Sequence, residues 1–241
     1  MANFNTHFTV ASISSAVVSS TFLSMHIVTL EQGVLAFFLG SIGGLLPDLD
    51  SAHSIAIKAA FNILSLLITV VLIFYKYTAY SIVEMLLMSV FVFAGIRYFL
   101  IEIFRGLSKH RGMFHSVPAV IIWGLCVTII MNKFFKYNEL ISWVFGVMIG
   151  FGYLVHLILD EIYSVDLGNK RIKRSFGTAL KFYRVGTLEE RIQTTIIYAS
   201  LVGLVFMAPD ESLIVDALLS QEAWGNFMSV LIPNDGKWFF H

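Results

Sequence analysis

The sequence predicts an all-α fold, a polytopic bundle of about six or seven transmembrane helices. Two observations predict it. Hydrophobic residues make up 57% of the 241 residues and charged residues only 13%, and the mean hydropathy is +0.80. In addition, several apolar runs reach about twenty residues, the length at which a helix crosses the hydrocarbon core of a bilayer.

The apolar runs predict up to seven helices. The first run is rich in serine and alanine, which favours close packing inside a bundle. The second is short and carries Gly40, Gly43 and Gly44 ahead of Pro47, so it predicts a tilted or broken helix. In chain order the predicted spans are 8–30, 33–47, 55–75, 79–101, 117–135, 139–162 and 192–208.

The domain organisation is simple. Residues 1–208 form one predicted transmembrane domain, because the longest polar stretch, the basic loop 163–191, is too short to fold as a soluble domain. The remaining segment, 209–241, mixes acidic and amide side chains with apolar and aromatic ones. Such a composition is typical of a helix that lies in the membrane interface.

The charges predict the orientation. If the N-terminus is cytoplasmic, twelve of the 16 Lys and Arg residues fall on the cytoplasmic side. Cytoplasmic loops of membrane proteins carry this excess of positive charge. The four that fall on the other side are Lys76, Lys133, Lys136 and Lys237.

Histidines and aspartates lie beside several of the apolar runs. Ionisable groups are costly at the edge of a bilayer unless they bind something, and a metal ion is the first candidate. The predicted threading places seven of them on the cytoplasmic face, where they could form one site. They are His7, Asp48, Asp50, His110, His115, His156 and Asp160.

Local spacing supports each part of this set, and each part has another explanation. His156 and Asp160 are four residues apart and share one helix face, although this spacing is common by chance. Gly112 allows a turn that points the flanking histidines inward, but the same segment suits a basic loop at lipid head groups. Asp48 and Asp50 follow a proline, and either one could instead cap the next helix. His7 is unremarkable by itself.

The residue types indicate the metal. Imidazole and carboxylate groups without thiolates favour zinc, with manganese or iron as alternatives, and the single Cys126 can form no cysteine-based site. Seven candidates exceed what one tetrahedral ion needs, so the set suits one or two ions. Two ions bridged by an aspartate suit phosphoester cleavage, with Asp50 or Asp160 as general base and Arg111 binding the substrate phosphate.

Three motifs carry a family resemblance. LLPDLDS (45–51), HRGMFHS (110–116) and GYLVHLILDEIYSVDLG (152–168) follow a histidine near the N-terminus. In this order they resemble the YdjM family of LexA-regulated bacterial inner-membrane proteins, which carries the label of metal-dependent hydrolase without an established substrate. The resemblance covers roughly residues 1–170 and implies that the seven histidines and aspartates are metal ligands. Ser51-Ala52 and Ser164-Val165 depart from the family pattern, which bears on substrate preference.

Two functions remain after these observations. The first is a hydrolase that attacks a phosphoester of a membrane lipid or lipid-linked substrate through a metal-activated water. The second is a non-catalytic metal-binding scaffold, or a component of a multi-protein membrane system. Transport predicts ionisable residues near the bilayer middle, and it is disfavoured because the predicted spans hold almost none apart from Glu84, near the start of the fourth span, and the groups at helix ends. Nothing in the sequence indicates binding of nucleic acid, and the oligomeric state is not predicted.

The basic segment 170–191 also has two explanations. Its lysines and arginines are interleaved with Phe176, Phe182 and Tyr183, so it could cover the site and bind anionic head groups. It could equally be a solvated loop that only sets the orientation of the chain.

Overall fold

The computed structural model describes residues 4–47, 55–76, 80–100, 102, 115–166, 171–172, 180–183 and 185–231. It confirms the all-α class. The helices are α1 (Phe4–Ser24), α2 (Leu30–Gly43), α3 (Ile55–Lys76), α4 (Ile82–Ala94), α5 (Val117–Lys133), α6 (Glu139–Ser164), α7 (Leu188–Met207), α8 (Ser212–Leu219) and α9 (Gln221–Leu231). Gly95–Leu100 continue α4 as a π-helical stretch, and the strands β1 (Val165–Asp166) and β2 (Arg171–Ile172) pair antiparallel within the basic loop.

Each predicted span coincides with a helix of the structure. The agreement is best for 55–75, 117–135 and 139–162, which correspond to α3, α5 and α6. The segment after residue 209 forms α8 and α9, two short helices separated by Ser220.

The predicted number of full membrane crossings exceeds the number of helices in the described residues that could cross. Among the described residues only Ile82–Leu100 and Glu139–Ser164 are long and apolar enough to cross a membrane alone, and α7 with α8 makes a third candidate bent by 84°. Helix α2 has 14 residues and α5 has 17, which give about 21 Å and 25 Å of rise against a hydrocarbon core of about 30 Å. Apolar runs therefore identified the helices but overestimated how many of them could cross a membrane alone.

Local sequence signals explain where several helices begin. Thr29, Ser81 and Thr187 each cap the helix that follows, and in each case the Gln or Glu three residues later bonds back to complete a capping box. Ser116 caps α5, whose second residue is Pro118. These pairs satisfy backbone N–H groups that a helix start leaves without partners.

The chain divides into two compact units, residues 1–44 with 115–241 and residues 45–114. In the first unit α6 is the central helix and packs against α1, α2 and α5, while α7 packs on α5. Its hydrophobic core lies where α1 ends and where α2 and α6 begin, and Ile214 of α8 and Ala223 of α9 join it. His7, near the start of α1, and His156 and Asp160, near the end of α6, lie at the opposite end of these helices. In the second unit α3 packs against α4 and the π-helical stretch.

Glycines let α2 and α6 cross with their backbones in contact. A Cβ atom added at Gly152 would lie against the Gly40 carbonyl oxygen and 2.9 Å from the Gly44 nitrogen. One added at Gly43 would press on the Ile149 carbonyl group, 3.0 Å from its carbon. Small residues that allow such approach are typical of helix pairs in membranes.

We expect Gly152→Ala to destabilise the protein by about 1–3 kcal/mol, the usual cost of overpacking, since the added methyl meets backbone atoms that cannot rotate away. Thermal unfolding of the purified protein in detergent measures this. Gly203→Ala is the matched control, because a Cβ there meets nothing within 4 Å and alanine favours a helix. Equal unfolding temperatures for the two variants would contradict the close crossing.

Candidate metal centre

Helix α6 supplies two members of the predicted site near its C-terminal end. His156 is completely buried and Asp160 is 7% exposed. The spacing of four residues places both side chains on one helix face, as expected from the sequence. The Nε2 atom of His156 lies 3.7 Å from Oδ2 of Asp160.

Helix α1 adds His7, which is also completely buried. Its ring stacks on the ring of His156, with centroids 3.7 Å apart and 13° between the planes. Its Nε2 atom lies 3.3 Å from the other carboxylate oxygen, Oδ1 of Asp160. A histidine 149 positions before His156 in the chain therefore becomes its nearest ring neighbour.

His115 is the fourth member and directly precedes Ser116, the residue that caps α5. Its Nε2 atom lies 3.6 Å from Oδ2 of Asp160, and its side chain is 15% exposed. Three imidazoles, from α1, α6 and the start of α5, thus surround one buried carboxylate. Among them His115 is the most open to its surroundings.

The second ring nitrogen of His156 is held by the backbone. Its Nδ1 atom lies 2.7 Å from the carbonyl oxygen of Gly44, the residue that ends α2. Because a carbonyl oxygen only accepts, the Nδ1–H group of His156 donates this hydrogen bond. In the neutral ring the lone pair is then on Nε2, the nitrogen nearer Asp160. Metal-binding histidines are commonly oriented by such a bond.

The distances around Asp160 fit metal ligands better than hydrogen bonds. Hydrogen bonds between nitrogen and oxygen are usually about 2.7–3.2 Å long, whereas a tetrahedral zinc ion holds its ligand atoms about 3.3–3.6 Å apart. The three Nε2 to carboxylate separations are 3.3, 3.6 and 3.7 Å. Within the described part of the chain, neither ring nitrogen of His7 nor Oδ1 of Asp160 makes a hydrogen bond, although all three are buried.

Together these observations identify a group that could hold a metal ion. His7, His156 and Asp160 each offer one ligand atom, and those atoms lie within 4.8 Å of one another. Burying such nitrogens and a carboxylate is costly unless something binds them. The residues present therefore fit a divalent cation with nitrogen and oxygen ligands.

The structure brings together four of the seven residues predicted as ligands: His7, His115, His156 and Asp160. Asp48, Asp50 and His110, and also Arg111, lie outside the described residues. The predicted roles of Asp48, Asp50, His110 and Arg111 in binding metal or substrate therefore stay predictions.

The Gly44 carbonyl group is a partner of His156 that the sequence did not predict. A signal was present, since Gly40, Gly43 and Gly44 on one helix and Gly152 on another are the residues that close helix crossings need. The glycines of the second apolar run predict a tilted or broken helix, whereas in the structure Gly40 and Gly43 lie at the close crossing with α6.

Part of the basic segment lies beside the site. The backbone N–H of Val117 donates to the carbonyl oxygen of Lys181 at 2.9 Å, so residue 181 is held next to the start of α5 and to His115. The Tyr198 hydroxyl donates to the Phe182 carbonyl oxygen at 3.0 Å, which ties the same segment to α7. Phe182 and Tyr183 are exposed.

Comparison with known proteins gives one family. A family model described as YdjM inner membrane protein matches residues 1–208, a range that contains all four residues of the site. The chain matched no curated protein and no solved structure. Because the match covers most of the 241 residues and agrees with the motifs of the sequence, the chain belongs to the YdjM family of inner membrane proteins.

Proposed function

We propose that this protein is an integral-membrane, metal-dependent hydrolase acting on a phosphoester of a lipid or lipid-linked substrate. One observation carries the proposal: three imidazoles surround a single buried carboxylate near the end of a long apolar helix, in a chain of an inner-membrane family. Nitrogen and oxygen ligands of this kind suit zinc, with manganese or iron as alternatives.

His7, His156 and Asp160 are the residues that would hold the ion. A bound zinc ion acts as a Lewis acid and lowers the pKa of a coordinated water to about 7. The Gly44 carbonyl group fixes the ring of His156 for this task. The Asp160 oxygen that does not bind the ion would accept a proton from the water. His115 is the least buried of the imidazoles, so a substrate would approach from its side.

The residues outside the described part of the chain complete the proposal. Asp48, Asp50 and His110 would add ligands for the same ion or for a second one, with Asp50 as an alternative general base. Arg111 would bind the substrate phosphate, since a guanidinium group matches phosphate oxygens with two parallel hydrogen bonds.

A non-catalytic scaffold is the second candidate, and one observation favours it. If all four of His7, His115, His156 and Asp160 bind one ion, they fill the four positions of a tetrahedral site. Closed sites of four protein ligands are structural, whereas catalytic zinc keeps one position open.

We also propose that the chain crosses the membrane several times with its N-terminus and the metal site on the cytoplasmic side. The excess of Lys and Arg on that side supports this orientation. The segment 209–241 would lie in the opposite interface. Because some helices are short, this arrangement needs a bilayer that is locally thinned around them.

We expect the purified native protein to contain about one zinc or manganese ion per chain, and the variants His7→Asn, His156→Asn and Asp160→Asn to lose most of it. Each variant keeps a polar side chain and removes one strong ligand atom. Elemental analysis by mass spectrometry measures the content. The controls are His26→Asn, at a turn where asparagine tolerates the φ of 58°, and Asp216→Asn, which is exposed. Native metal content in all three site variants would refute the assignment.

We expect the metal-loaded protein to release phosphate or alcohol from a phosphomonoester or phosphodiester lipid, and Asp160→Asn to lower kcat by about 100-fold or more. Phosphatidic acid and phosphatidylglycerol in mixed micelles are suitable first substrates. A protein that holds its metal but cleaves neither would favour the scaffold. Activity of Asp160→Asn at the native level would place the chemistry elsewhere.

Reporter fusions test the orientation. A fusion after residue 180 is expected to give a cytoplasmic signal, and a fusion after residue 137, between α5 and α6, a periplasmic one. Because the two positions are separated by α6 alone among the described helices, the same signal from both would mean that α6 does not cross the membrane.

A further inference from the structure

Two exposed aromatic side chains lie beside the metal centre. Phe182 is 59% exposed and Tyr183 is 65% exposed, and Leu180 and Val185 on either side of them are also exposed. Apolar side chains grouped on a surface mark contact with a partner or with a membrane. This group therefore contacts something other than bulk water.

The backbone of segment 180–183 is held from two sides. The N–H group of Val117, at the start of α5, donates to the Lys181 carbonyl oxygen at 2.9 Å. The hydroxyl group of Tyr198, on α7, donates to the Phe182 carbonyl oxygen at 3.0 Å. The two aromatic side chains thus extend from a backbone that is fixed to α5 and α7.

The same contacts place the segment at a definite depth along α6. Lys181 forms a parallel β-bridge with Ser116, and His115, the residue before Ser116, lies 3.6 Å from Asp160 of α6. Helix α6 has 26 residues and rises about 39 Å, which exceeds a hydrocarbon core of about 30 Å by about 4–5 Å at each end. Asp160 lies about 6 Å before the C-terminal end of α6, so a bilayer crossed by α6 has its head-group boundary near this residue.

Side chains exposed at this boundary meet lipid head groups and the first carbons of the acyl chains. Tyrosine is enriched there because its ring is apolar and its hydroxyl group is polar. Phe182 precedes Tyr183 and offers a wholly apolar ring at the same level. The pair therefore suits a lipid surface better than bulk water.

Charge indicates which lipids the surface fits. In the basic segment 170–191, seven Lys and Arg residues stand against two acids, Glu189 and Glu190. The Glu190 carboxylate already accepts hydrogen bonds from two backbone N–H groups near the start of α7. Arg191 is exposed, and its Nε–H donates to the Val185 carbonyl oxygen at 3.1 Å, which keeps this cation beside the aromatic pair.

This excess of positive charge also distinguishes lipid from a second copy of the chain. In a two-fold symmetric contact the same patch meets itself, so equal charges would face each other and repel. Anionic head groups instead complement basic residues that lie next to a membrane helix.

We propose that segment 180–183 is a binding surface for anionic phospholipid, with Phe182 and Tyr183 inserted at the head-group boundary and Lys181 and Arg191 contacting lipid phosphate. Because Lys181 pairs with the residue after His115, the most open side of the metal centre then lies at the membrane surface. The proposal requires that α6 crosses the membrane, but it requires neither a bound metal ion nor hydrolysis.

Photo-crosslinking of the full chain in nanodiscs tests the contact with lipid. The photoreactive residue p-benzoylphenylalanine replaces Tyr183, and the nanodiscs contain equal amounts of phosphatidylglycerol and phosphatidylcholine. We expect lipid adducts on the peptide that contains residue 183, with phosphatidylglycerol favoured about threefold. Mass spectrometry of peptides measures the adducts.

The same photoreactive residue at Glu211 is the control for position. Glu211 is exposed and its side chain makes no capping hydrogen bond, so we expect it to lie in water and to give few lipid adducts. Equal lipid labelling at positions 183 and 211 would overturn the proposal. Adducts from position 183 to a second protein chain in place of lipid would also overturn it.

Two double variants that remove the same charge test the choice of lipid. We expect Lys181→Gln with Arg191→Gln to bring the ratio of phosphatidylglycerol to phosphatidylcholine adducts at position 183 to about one. Lys133→Gln with Lys136→Asn should leave the ratio unchanged, because both lysines are exposed at the far end of α5. Asparagine tolerates the φ of 59° at position 136. The same ratio in both double variants would refute the role of Lys181 and Arg191.

Metal content of the same samples separates this inference from the proposed function. His156→Asn should lose metal and keep its lipid adducts, since His156 is buried and belongs to the metal cluster. A native protein that forms the adducts without binding metal would refute the hydrolase and retain the lipid surface. A native protein that binds metal but forms no lipid adducts at position 183 would do the reverse.

Discussion

The close crossing of α2 and α6 is the constraint on which the site depends. Backbone atoms of the two helices meet at Gly40 and Gly152, and a side chain at Gly152 would force them apart. This contact places the end of α2 beside the C-terminal half of α6, so that the Gly44 carbonyl oxygen accepts a hydrogen bond from His156 Nδ1–H. Packing between two apolar helices thereby orients the ring of a candidate metal ligand.

Asp160 poses the main energetic problem of the molecule. A carboxylate buried at the end of an apolar helix loses most of its hydration, and imidazoles at 3.3 to 3.7 Å replace that hydration only in part. A divalent cation between these atoms would compensate the charge of Asp160. It would also bind a ring nitrogen of His7 and Oδ1 of Asp160, which make no hydrogen bond within the described residues. The same ion would tie α1, α6 and the start of α5 together, so it would stabilise the fold as well as supply chemistry.

The surroundings of the cluster bear on whether the proposed role is catalytic or structural. Four protein ligands would close a tetrahedral site, but His115 is partly exposed and lies where the chain from residue 180 to 183 passes the start of α5. Such partial exposure is compatible with the open position that a catalytic zinc site keeps.

By itself the sequence determined the helices and the kinds of ligand, because apolar runs, capping residues and a spacing of four act over short distances. It also indicated one shared face, since alternating spans place distant loops together. Only the tertiary structure decided that His7 stacks on His156 and that the Gly44 carbonyl orients it. These contacts depend on how closely the helices cross. Among the described residues, fewer helices could cross a membrane alone than the sequence predicted.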